Sequence, residues 1–127
     1  MKRIAALAGG LLLALSISSC GASTGPVGTW GDGYNTDKQP YLELSLGAEQ
    51  DGNQAGYLTG SDGCNRLAGQ WMLAAGELTF PQMGGTKIAC KGIDTWLSQA
   101  AGGTVDGNTL TVTDAHGKTI GTLERRD

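Results

Sequence analysis

Glycine interrupts this chain every few residues, and beyond the first twenty positions no apolar segment runs long enough for more than one short helix. Of the 22 glycines, only Gly9 and Gly10 precede Cys20. Glycine loses the most conformational freedom on ordering and weakens helix interiors, so its spacing between short apolar runs marks turns. The expected fold class is mostly β, of the α+β kind: a small antiparallel barrel-like sheet with one packed helix.

Residues 27–30 read as an opening strand, and residues 31–40 as a polar loop ended by Pro40. Residues 41–46 alternate in polarity, which puts Leu42, Leu44 and Leu46 on one face of a strand. A short strand is expected over 56–59. Residues 67–73 and 77–80 flank Ala74-Ala75-Gly76, predicting a hairpin with Gly76 at positive φ. Ile93, Trp96, Leu97 and Ala100 fall at i, i+3, i+4 and i+7, predicting a helix over 94–101 with Asp94 at its start and Gly102-Gly103 ending it. Residues 109–113 put Leu110 and Val112 on one face. A turn at 114–117 leads to a last strand through Leu123, where the opposite parity of Ile120 and Leu123 places a bulge at Gly121. A Leu-Thr-apolar core recurs at 78–80 and 110–112, as in a meander of similar hairpins that curls on itself.

The N-terminus has a different character. Lys2 and Arg3 precede an apolar run over 4–17 broken only by Ser16. Spanning a bilayer core takes about 20 apolar residues, so this run reads as the leader of an exported protein and not as a permanent span. Ile17-Ser18-Ser19-Cys20 resembles a bacterial lipobox. The resemblance implies cleavage before Cys20 and a diacylglycerol thioether on its sulfur; an ordinary signal peptide followed by a disulfide cysteine is the other reading. The expected organisation is a leader over 1–19, a lipidated cysteine and short tether over 20–26, and one domain over 27–127. The expected location is the outer face of a membrane: the outer membrane in a diderm cell, the cell membrane in a monoderm one.

The whole chain carries a formal net charge of −3. Loss of Lys2 and Arg3 with the leader takes this to −5, opposite in sign to the basic footprint of a nucleic-acid binder. Membrane attachment would accordingly come from lipid at Cys20 and not from side-chain charge.

Gly60-Ser61-Asp62-Gly63-Cys64-Asn65-Arg66-Leu67-Ala68-Gly69-Gln70-Trp71 resembles the signature of the META domain, the family of HslJ-like bacterial lipoproteins. Leu78-Thr79-Phe80, Thr86-Lys87-Ile88-Ala89-Cys90 and the closing Gly121-Thr122-Leu123-Glu124-Arg125 agree with it. Trp71 and Ile88 depart from the usual Tyr and Met. The motif residues implied are Gly63, Cys64, Asn65, Thr86, Ala89 and Cys90. Gly63 and Asn65 suit backbone positions at positive φ, which would let the turn project Cys64. Two cysteines remaining in an exported domain are expected to oxidise, giving a Cys64–Cys90 disulfide; two buried thiols acting as small hydrophobes are the alternative.

The resemblance implies a non-catalytic envelope module that binds a partner or protects against stress. Its partners would be the membrane through Cys20 and either a small apolar ligand or an envelope protein. A carrier holding a lipid in the barrel beside Trp71 or Trp96, and an enzyme using Cys64 with His116, are the other readings. His116 reads as a turn residue, and no cofactor or metal is implied: Asp51-Gly52-Asn53 and Asp62-Gly63 lack the spaced carboxylates of a calcium loop.

Overall fold

Nine short strands form one antiparallel sheet in the computed structural model, which describes residues 25–34 and 38–126. They are β1 (Gly28–Trp30), β2 (Tyr41–Leu46), β3 (Gln54–Ser61), β4 (Arg66–Ala74), β5 (Glu77–Thr79), β6 (Gly84–Gly85), β7 (Gly102–Asp106), β8 (Thr109–Thr113) and β9 (Thr119–Glu124). The order is β1-β2-β3-β4-β5-β7-β8-β9, with β6 paired to the first part of β4. The sheet then curls back on itself. Trp30 bridges Arg125, the Gly31 amide donates to Glu124 O at 2.7 Å, and the Arg126 amide donates to Thr29 O at 2.8 Å. The result is a nearly closed barrel.

Alternation explains the interior. Leu42 and Leu44 of β2, Leu58 of β3, Leu67 and Trp71 of β4, and Leu110 and Val112 of β8 all point inward and are buried. Each such side chain contributes about 1.5–3 kcal/mol by leaving water. Two indole N–H groups that would be costly inside a barrel find carbonyl partners: Trp30 donates to Pro26 O and Trp71 to Ser45 O, both at 2.9 Å. Leu46 departs from expectation. It shares the parity of Leu42 and Leu44 but is 61% exposed, because it is the last residue of β2 and lies past the layer that covers them.

The hairpin between β4 and β5 turns through Ala75 (φ 53°) and Gly76 (φ 81°), the two-residue geometry that matches sheet twist. The bulge expected in β9 is present, one residue before Gly121. Val112 faces Gly121 while Thr113 faces Thr119, so Ile120 is the extra residue.

The helix expected over 94–101 does not form. Residues Trp96–Gln99 make a single 3-10 turn, and Ala100 is already extended at φ −62°, ψ 135°. Helices of this length are marginal in water, and Gly102 and Gly103, read as a stop, are instead the start of β7, paired to Thr79 and Leu78 of β5. The apolar spacing still serves the core: Leu97 and Ala100 are buried, and the Trp96 ring lies flat enough on Gly121 that a Cβ there would sit 2.6 Å from it.

Arg125 locks the seam. Its guanidinium lies 4.2 Å from the Trp30 ring centroid and donates to Val27 O at 2.9 Å and Gly25 O at 2.6 Å. Pro26 is buried beneath the same contacts. Arg125→Ala is expected to cost about 1–3 kcal/mol, from the lost cation–π contact and two charge-assisted hydrogen bonds. Thermal unfolding would measure it, and Arg125→Lys should recover less than half of the loss, because an ammonium cannot reproduce the planar fork.

Candidate functional site

The strongest concentration of specific contacts lies where the β3–β4 loop meets the chain that follows β6. Asp62, fully buried, accepts the Cys64 amide at 2.8 Å and the Asn65 amide at 2.5 Å on Oδ1, closing an Asx-type turn. Ser61 Oγ accepts the Gly63 amide at 3.0 Å. Gly63 sits at φ 98°, where a Cβ would come within 2.9 Å of Lys38 O, so both conformation and space call for glycine. Asn65, contrary to expectation, does not take a positive φ, and its part is played by its side chain.

That side chain, 6% exposed, uses both ends of its amide. Oδ1 accepts from the Ile88 amide at 2.6 Å and from Thr86 Oγ1 at 3.0 Å; Nδ2 donates to Ile88 O at 3.0 Å and reaches Asp62 Oδ2 at 3.5 Å. Asn65 thus pairs with Ile88 as a neighbouring strand would. Thr86 completes the join, its hydroxyl accepting the Arg66 amide at 3.0 Å and its own amide donating to Arg66 O at 3.1 Å. Cys64 and Cys90 are joined as a disulfide, with Cα atoms 5.9 Å apart. Ala89 is exposed between the two fastenings.

Of the six motif residues, then, Gly63, Cys64 and Asn65 shape one loop, while Thr86, Ala89 and Cys90 belong to the strap it holds. Asp62 organises the whole turn. The signal for it in the sequence was an Asp immediately before Gly-Cys-Asn, the usual opening of an Asx turn.

The remaining candidates are dispersed. His116 is exposed in the turn between β8 and β9, where Asp114 Oδ1 accepts the His116 and Lys118 amides at 2.9 and 3.0 Å. Those amides, Lys118 first and then His116, hold the Asp114 carboxyl below its ordinary value. Cys64 has no thiol for His116 to activate, because its sulfur is bonded to Cys90. Asp51 and Gly52 form the β2–β3 turn at positive φ. Among the described residues no group of three or more His, Cys, Asp or Glu could hold a metal, and no helix is long and apolar enough to cross a membrane. Cys20 and the leader lie outside the described residues.

Two open clefts lie among the described residues. One of about 210 Å³ runs past Tyr57, Trp71 and Pro81; the other, of about 420 Å³, is lined by Tyr41, Thr59, Ser61, Cys64 and Arg66 beside the disulfide.

Comparison with known proteins agrees with the motif. Neither the curated proteins nor the solved structures include a match. The family model of the META domain matches residues 27–127, which takes in every strand and both halves of the fastened corner, and the chain belongs to the META domain family.

Proposed function

We propose that this chain is a non-catalytic module of the cell envelope, anchored by lipid at Cys20 and acting through its surface as a binding or stress-protective domain. The observation that carries the reading is the lipobox-like Ile17-Ser18-Ser19-Cys20, placed six residues ahead of a Pro26 that is buried in the barrel seam. A linker of that length keeps the domain within about 10–20 Å of the anchor. The disulfide fits an oxidising compartment. It also removes the thiol that a Cys/His enzyme would need.

The carrier reading draws less support. Trp30, Trp71 and Leu58 are among the side chains that fill the barrel interior, so a lipid would have to displace them. The test is Cys20→Ala. Wild-type protein is expected in the membrane fraction with a mature N-terminal mass that includes acyl chains, since stable anchoring takes two lipid chains or more; the variant, which has no sulfur to acylate, is expected to carry no acyl chains and to keep its leader, with its domain folded. A wild-type N-terminus without acyl chains would overturn the anchor.

A further inference from the structure

The strap after β6 is built like a protease substrate that cannot leave. Residues 84–89 are all exposed, Ile88 to 60%, and none of residues 84–91 takes a positive φ. Exposed chain of this kind is normally mobile. Here it is fastened on both sides of one peptide bond, that between Lys87 and Ile88. Upstream, Gly85 pairs with Leu67 and the Thr86 amide donates to Arg66 O at 3.1 Å. Downstream, Asn65 holds both backbone groups of Ile88, and Cys90 is covalently tied to Cys64. Between them the Lys87 side chain is exposed and makes no ion pair among the described residues. The other edge of β6 is open too, since β6 pairs with β4 alone.

We infer that residues 84–90 are an inhibitory loop for serine proteases that cleave after lysine, with Lys87 entering the enzyme's acidic specificity pocket. The chemistry follows from the fastening. Such an enzyme pairs with an extended segment through an open strand edge and takes the basic side chain into a pocket floored by an aspartate. Its serine Oγ adds to the Lys87 carbonyl carbon, and the C–N bond to Ile88 breaks. Lys87 is then an ester on the serine, and the Ile88 nitrogen leaves as an amine carrying the proton delivered by the enzyme's histidine. In an ordinary substrate the amine end diffuses away, gaining conformational freedom. Here Asn65 and the disulfide keep the Ile88 nitrogen in place, so it attacks the ester, restores the peptide bond and frees the serine. Water occasionally takes the amine's place and gives a Lys87 carboxylate, yet both new ends stay held and the cut remains reversible. A loop already fixed in this form loses little freedom on binding, which is the condition for a tight complex.

The inference does not depend on acylation of Cys20. It is tested by titrating the full chain, disulfide intact, against trypsin while following hydrolysis of a small peptide substrate. The expected result is stoichiometric loss of trypsin activity, with a single cut at Lys87–Ile88 that stops at a mixture of intact and nicked protein. Lys87→Ala, an exposed change that leaves the fastenings alone, should weaken inhibition on the order of 10³-fold, with an unchanged circular dichroism spectrum. Lys87→Phe should transfer inhibition to chymotrypsin. Unaffected trypsin activity, digestion that runs to completion, or a first cut at any other basic residue would each overturn it.

Discussion

Replacing Cys64 and Cys90 together by serine is expected to lower the unfolding free energy by about 3–4 kcal/mol. The bond joins positions 26 residues apart, and cross-linking a loop of that length removes about 3.5 kcal/mol of chain entropy from the unfolded state. A domain of this size has only about 5–15 kcal/mol in total, so the bond supplies a large share. With a shift of roughly 4–8 °C per kcal/mol for a domain near 100 residues, the melting temperature should fall by about 15–25 °C. The loss should be concentrated in what the bond spans. Residues 86–92 have little secondary structure of their own, whereas β3 and β4 are paired along eight positions. Hydrogen exchange in the serine variant should therefore accelerate in the strap well before it does in β3 and β4. Reductant added to the wild type should reproduce the same shift; a change below about 5 °C in both experiments would show that the barrel, and not the bond, carries the corner.

The parts of this fold that could be read from the chain are those whose signal is local. The alternation of residues 41–46 gives β2 to the residue, and Leu110 with Val112 gives β8, because period two survives wherever one face is buried. Ala75-Gly76 announces its own turn. The failures are tertiary. A spacing of Trp96, Leu97 and Ala100 fits a helix face equally well when the same side chains reach the core from one 3-10 turn, and Gly102-Gly103 reads as a stop until β5 is present to pair with it. The corner was half legible. Family resemblance singles out Asn65, but propensity alone gives it a positive φ, whereas its role in the fold depends on Ile88, 23 positions away. Long-range pairing of one side-chain amide with one peptide unit leaves no periodic trace.

That pairing makes Asn65 the most demanding single position in the motif. Asn65→Ala is expected to cost about 2–4 kcal/mol. It strips partners from the Ile88 amide and carbonyl, the Thr86 hydroxyl and Asp62 Oδ2 at once. Each buried polar group left without a partner costs about 1–3 kcal/mol, though the strap is open enough for water to recover part of the loss at Ile88 and Thr86. Asp62 is where the penalty should persist, since it is fully buried. The informative companion is Asn65→Asp, which keeps the volume and the Oδ1 acceptor but turns the Nδ2 donor into an oxygen. That oxygen would face the Ile88 carbonyl and the Asp62 carboxylate, replacing two attractions with two repulsions. At neutral pH the aspartate variant should consequently be no more stable than the alanine variant, despite its closer shape. Urea unfolding with the disulfide intact measures both, and an unchanged slope would confirm that the loss lies in the folded state. An Asn65→Asp protein as stable as the wild type would mean that the side chain only fills space, and that the strap is held by Cys90 and Thr86 alone.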